Sequence, residues 1–122
     1  MKEYAIIGSG PAGAIAAETL RNLDEESRII VVTAEGYPYY KRERIAGLIS
    51  GDETEERLFE KGKDFYQKIG AELVTRRVTE VSTEKNQLIL DDGSTINYDS
   101  LLIASGGKPI SLPLQGIELE GV

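Results

Sequence analysis

Gly8-Ser9-Gly10-Pro11-Ala12-Gly13 is the stretch on which the fold of this chain turns. Its spacing is G-x-G-x-x-G, and its surroundings give that spacing meaning. Before it stands Tyr4-Ala5-Ile6-Ile7, an apolar run without strict alternation, as in a strand buried on both faces. After it, residues 12–23 read as a helix. Ala12, Ala14, Ala16, Ala17 and Leu20 favour helix, while Ile15, Thr19 and Leu23 fall four apart on one side. Arg28 to Thr33 (RIIVVT) reads as a second buried strand, rich in β-branched residues. Strand, helix and strand within roughly thirty residues form a βαβ unit, whose two strands must be parallel.

Each glycine answers a different need. Gly8 permits the tight turn, Gly10 lets the backbone approach a pyrophosphate, and Gly13 lets the helix lie close to the strand. Ser9, Pro11 and Ala12 complete a loop whose free N–H groups would face phosphates, aided by the helix dipole. Pro11 sits near the first helical turn, where a missing N–H costs little. Glu35 follows the second strand, 22 residues after Gly13 (35 − 13), and a carboxylate there can accept hydrogen bonds from ribose hydroxyls. A generic turn followed by a solvated glutamate is the plainer reading. Motif, strand, helix and acid agreeing in order and spacing speak against it. The loop alone does not choose between FAD and NAD.

The bulk composition narrows the field. A length of 122 residues is that of one domain, and a net charge of −7 argues against a nucleic-acid backbone as the main partner, though not against a locally positive pocket. With no Cys and no His, these residues contain no redox disulfide, thiolate metal site or imidazole acid–base catalyst. Redox work would need a bound cofactor to carry the electrons. The apolar run Tyr4–Ile7 is too short for a signal peptide or membrane span, so a cytoplasmic location is the default expectation.

Farther along, residues 44–51 suggest a short helix closed by Gly51. Residues 55–69 suggest another that stops at Gly70, with Phe59, Phe65, Tyr66 and Ile69 as its apolar contacts. The acids from Asp52 to Glu56 fit a helix start better than a docking site for a partner. Beyond Gly70 the period becomes two. Strands are expected at Glu72–Val74, Arg77–Ser82, Gln87–Leu90 and Ser94–Asn97, with turns at Glu84-Lys85-Asn86 and Asp91-Asp92-Gly93. Tyr98–Ala104 is a further apolar strand, ending in Ser105-Gly106-Gly107, and the tail from Lys108 has no clear period.

Residues 71–107 (AELVTRRVTEVSTEKNQLILDDGSTINYDSLLIASGG) resemble the β-meander and returning strand of the FAD domain in the pyridine-nucleotide–disulfide oxidoreductase superfamily. The matching features are GSGPAG, the acid Glu35, Asp91-Asp92-Gly93 through Tyr98-Asp99, LLIASG at Leu101–Gly106, and LPLQGIELEGV in the tail. The resemblance implies FAD as the dinucleotide. It places backbone groups of Val78 beside the adenine, and Ala104, Ser105 and Gly106 at the carboxyl edge of the sheet against the cofactor. A plain strand-to-loop turn is the simpler account of ASGG.

Tyr37-Pro38-Tyr39-Tyr40-Lys41-Arg42-Glu43-Arg44-Ile45 resembles the Tyr-x-Arg-Pro-x-Leu segment of one sub-branch: rubredoxin reductases, ferredoxin reductases, NADH oxidases and the flavin part of nitrite reductase large subunits. That match puts Arg42 near the flavin end of FAD; a solvated basic loop is the alternative. Glu43 stands where the family has Pro, and Gly47 and Leu48 stand where a lysine is often found.

The implied architecture is α/β: a Rossmann-like parallel sheet with an inserted antiparallel β-meander, incomplete at the C-terminus. Residues 1–122 would be the first segment of the FAD domain, without the NAD(P) domain, the returning FAD segment or the interface domain. The implied activity is transfer of electrons from NAD(P)H through FAD to an external acceptor: an iron–sulfur protein, oxygen or a downstream reductase centre. A chain of this extent is expected to be inactive alone, and to self-associate or bind FAD weakly. Two other readings remain at this stage: an NAD(P)-binding Rossmann domain of a dehydrogenase, and a non-catalytic nucleotide-binding module.

Overall fold

A computed structural model describes all of residues 1–122. Strand β1 (Glu3–Ile7) leads through the glycine loop into helix α1 (Pro11–Leu23), and the chain returns as β2 (Arg28–Thr33). The βαβ reading holds: β1 and β2 are parallel, with Ile6 opposite Val31. Two more strands complete this sheet, β3 (Glu72–Thr75) and β7 (Ser100–Ile103), in the order β3-β2-β1-β7, all parallel. A second sheet, β4 (Val78–Ser82), β5 (Gln87–Leu90) and β6 (Thr95–Asn97), is an antiparallel meander.

Both faces of the sheet are covered at β1 and β2, which is why these two strands read as continuous apolar runs. Side chains alternate along β2. Ile29 and Val31 enter a core with Ile6, Ala14, Ala17, Phe65 and Tyr66, under the helices. Ile30 and Val32 enter a core on the opposite side with Ala5, Leu88, Leu90 and Tyr98, under the meander. The meander is thus the second cover of the sheet.

Several sequence expectations need correction. Glu72–Thr75 belongs to the parallel sheet beside β2 and not to the meander, because its residues pair with Ile30–Thr33. The helix expected over 55–69 is two short helices, α3 (Glu55–Leu58) and α4 (Phe65–Lys68). Gly62, in the left-handed region at φ 85°, turns the chain between them. The break sends Phe59 toward Tyr37 and Tyr40, while Phe65 and Tyr66 enter the core. The α3 start is capped by Thr54, whose hydroxyl accepts from the Arg57 N–H, with Glu55 and Glu56 in the first turn. Helix α2 (Ile45–Ser50) ends at Gly51 in the left-handed conformation, as expected.

Helix α1 buries Gly13, Ala14 and Ala17 and not the Ile15–Thr19–Leu23 row; Ile15 and Leu23 are 56% and 80% exposed. Small residues win the inner face because the helix lies so close to β1. Ile15 instead borders an apolar groove of about 470 Å³, with Tyr4, Ile6, Leu20, Leu101 and Leu102, along the open edge strand β7. Strands β4, β6 and β7 begin one or two residues later than their patterns suggested, and β7 ends at Ile103. Tyr98 lies before β7 and is buried against the meander. No helix is long and apolar enough to cross a membrane.

Candidate functional site

The carboxyl ends of β1, β2 and β7 meet at one crevice of about 570 Å³. In an open parallel sheet this edge, where connections run to opposite sides, is where ligands bind. Its floor is the glycine loop. Gly8 has φ 108°, and a Cβ on it would stand 2.1 Å from the Ala104 carbonyl oxygen. Gly13 is buried, and a Cβ there would stand 2.0 Å from the Gly8 carbonyl oxygen. These two glycines lock the turn against β7 and α1 against the turn. Gly10 differs: a Cβ there would meet nothing within 4 Å. Its missing side chain leaves open the space directly before the helix N-terminus.

The helix start presents donors. The Gly10 carbonyl accepts from the Ala14 N–H at 2.9 Å, but the N–H groups of Gly10, Ala12 and Gly13 have no partner in the chain. No acid occupies the first turn of α1 and no side chain caps it. An anion would satisfy these amides and the dipole behind them. Beneath the loop, the buried Ser9 hydroxyl is hydrogen-bonded to the buried Tyr66 hydroxyl at 2.7 Å, which ties the loop to α4. Burial pushes the Tyr66 phenol above its ordinary pKa, so it stays protonated as a partner for Ser9.

The β2 end of the crevice is built from side chains. Glu35 sits just past β2, its N–H bonded to the Thr33 hydroxyl at 3.2 Å. Its Oε1 accepts from Arg42 Nη1 at 2.9 Å and its Oε2 accepts from the Tyr40 hydroxyl at 3.1 Å. The Arg42 hydrogen bond holds the Glu35 carboxyl below the usual carboxylate range. Arg76, Arg77 and Val78, which follow β3 beside β2, also line the crevice. Arg76 leans on Asp91 and Asp92 at 4.0 and 3.5 Å, while Arg77 makes no ion pair. Arg42 is paired with Glu35 and Arg76 with Asp91 and Asp92, so Arg77 is the lining guanidinium left without an ion pair.

Gly8, Ser9, Gly10, Pro11, Ala12, Glu35, Arg42, Val78, Ala104, Ser105 and Gly106 all line the crevice. Gly13 does not; it lies behind the wall and acts through packing. Arg42, which the resemblance places near the flavin end of FAD, pairs with Glu35 at the β2 end of the crevice. Sequence reasoning passed over Arg76, Arg77, Thr33 and Tyr40. The first two lacked a local signal, because only pairing with β2 puts Glu72–Thr75 in the parallel sheet and so brings the two arginines to the ligand edge. Tyr40 had none either, because its role depends on how the loop after Glu35 folds back.

These residues fit the adenosine diphosphate half of a dinucleotide: free amides and an open cradle at Gly10 for the diphosphate, and a carboxylate for the ribose.

Comparison with known proteins agrees. The chain is 36% identical over 121 residues to the ferredoxin–NAD(+) reductase subunit of the benzene 1,2-dioxygenase system of Pseudomonas putida, covering 97% of this chain and 29% of that protein. It is 30% identical over 126 residues to the assimilatory nitrate reductase electron transfer subunit of Bacillus subtilis (strain 168), covering 100% of this chain and 16% of that one. The crystal structure of a covalent putidaredoxin reductase–putidaredoxin complex matches with a TM-score of 0.85 and 30% identity, over 92% of this chain and 27% of that chain. The chain therefore spans less than a third of the length of these relatives. The fold is the FAD/NAD-binding fold, which the structural neighbours share. A family model matches residues 2–122, and the chain belongs to the pyridine nucleotide-disulphide oxidoreductase family.

Proposed function

We propose that residues 1–122 are the first segment of the FAD-binding domain of an NAD(P)H-dependent flavoprotein that passes electrons to an external acceptor. The observation that carries this is the crevice itself. Unpaired amides at the start of α1, the open space at Gly10 and the Glu35 carboxylate border one crevice, as one adenosine diphosphate would require. The glycine loop would hold the diphosphate, Glu35 the ribose, and Val78 backbone groups the adenine. Ala104, Ser105 and Gly106 would face the rest of the cofactor. Bound FAD supplies the hydride and electron chemistry, which a chain without Cys or His does not offer from its own side chains. The chain's part is to bind, to orient and to neutralise the charge of the cofactor.

The named redox relatives favour a protein acceptor with an iron–sulfur centre, because a reductase–putidaredoxin complex and a ferredoxin reductase are both among them. Titration of the chain with FAD, followed by flavin fluorescence, tests the reading. Saturable quenching that ADP competes away supports it. Binding of NADH in preference to FAD would support a dehydrogenase domain instead, and no binding of either would favour a non-catalytic module. The 122-residue chain is expected to oxidise no NADH, because no second dinucleotide site lies within it; steady NADH turnover would overturn that expectation. We further propose that the apolar groove beside β7 makes the chain self-associate, to be checked by sedimentation: a clean monomer with tight stoichiometric FAD would refute it.

A further inference from the structure

Arg42, Tyr40 and Glu35 form a closed ring of hydrogen bonds. Arg42 Nη1 donates to Glu35 Oε1 and to the Tyr40 oxygen, each at 2.9 Å, and the Tyr40 hydroxyl donates to Glu35 Oε2 at 3.1 Å. The guanidinium carbon also stands 4.9 Å from the centre of the Tyr40 ring. Tyr40 is fixed in turn by edge contacts with Phe59 and Tyr37, at centroid distances of 5.9 and 6.5 Å. Glu35 is thus held at its backbone by Thr33 and at its carboxylate by two side chains.

The ring leaves capacity for a ligand. A carboxylate offers about four lone-pair sites, two per oxygen. Arg42 takes one on Oε1 and Tyr40 takes one on Oε2, so one site remains on each oxygen. Two acceptors side by side on one carboxylate suit the two vicinal hydroxyls of a ribose. The ring's place in the fold matters as much. Glu35 follows β2, while Ala104–Gly107 follow β7, and β1 lies between the two strands. Two strand spacings, roughly 10 Å, separate the two ends.

We propose that Arg42 and Tyr40 are positioning residues for the adenosine half of the ligand: they hold the Glu35 carboxylate in the orientation that reads a ribose cis-diol, and Arg42 does not act on the flavin. This rests on the reading of the crevice as an adenine-dinucleotide site.

Affinities for ADP, 2′-deoxy-ADP and FAD, measured by calorimetry on the 122-residue chain and on Arg42→Met, Tyr40→Phe and Arg42→Lys, test it. The wild-type chain is expected to prefer ADP over 2′-deoxy-ADP by about tenfold, as for loss of one hydrogen bond to a charged group. Arg42→Met and Tyr40→Phe should cut that preference to about threefold or less. Arg42→Lys should restore part of it. A purely structural role would lower both affinities together and leave their ratio alone. Equal weakening of ADP and 2′-deoxy-ADP by Arg42→Met would place the guanidinium on the diphosphate and overturn the proposal. A fall in FAD affinity with ADP untouched would return Arg42 to the flavin and also overturn it. If wild-type chain binds neither ADP nor FAD, the crevice reading itself fails; if it binds both and the variants keep the wild-type ratio, that reading stands and only this inference falls.

Discussion

The two ends of the crevice are made in different ways. At the α1 end the site is backbone: three glycines, a row of free N–H groups and a helix dipole. At the β2 end it is side chain: Glu35, Arg42 and Tyr40, joined in a ring. A backbone site needs no particular side chains, only their absence where space is wanted. A side-chain site needs chemistry delivered from several segments at once. The first kind is written in consecutive residues. The second is assembled by the fold.

Breaking the backbone end should give the largest effect. Gly13→Ala forces a Cβ against the Gly8 carbonyl, where neither partner is a flexible side chain. A loss of about 3 kcal/mol is expected from such overpacking, seen as a fall in thermal midpoint of roughly 10 °C by circular dichroism. Gly10→Ala should separate function from folding. Its Cβ enters open space, so stability should change by at most about 1 kcal/mol, while ADP affinity drops about tenfold or more. If Gly10→Ala binds ADP like wild type, the diphosphate does not lie where the glycine loop predicts.

The side-chain end should respond to pH. Arg42 depresses the Glu35 pKa in the folded state, so the ionised form persists through mildly acidic pH. The preference for ADP over 2′-deoxy-ADP should be present above the usual carboxylate pKa of about 4.3 and fade only as pH falls below it. In Arg42→Met the fading should begin at higher pH, a shift readable by titration calorimetry across pH 3.5–6 (roughly the carboxylate range). The Glu35 pair is nearly half exposed, so its own effect on folding stability stays within about 1 kcal/mol. The smallest effect belongs to Val78. If backbone groups meet the adenine there, Val78→Ile should alter ADP affinity by less than about twofold; a tenfold loss would show that the side chain takes part.

What could be read from sequence follows the same division. The Gly8–Gly13 spacing, the flanking apolar runs and the β-branched stretch Arg28–Thr33 are local, and each depends on neighbours in the chain. They determined the βαβ unit, the helix start and the position of Glu35 at the strand end. The meander was legible too, through its period of two and its turns. Glu72–Thr75 was not, because an alternating strand suits an antiparallel partner as well as the outer edge of a parallel sheet, and only pairing with β2 decides. The long helix failed for a related reason. Apolar residues at helical spacing over 55–69 satisfy two separate clusters, and Gly62 lets the chain divide between them.

By itself, then, the sequence determined where an anion can rest, since missing side chains and free amides are properties of a short consecutive segment. Tertiary structure alone decided what surrounds that anion. Arg76 and Arg77 stand 41 and 42 residues beyond Glu35 (76 − 35 and 77 − 35), and share its crevice only because β3 lies beside β2. Arg42 meets Glu35 only because the loop after β2 folds back over Phe59. Contacts of that kind are set by sheet order and by where loops return, and no local pattern of residues encodes them.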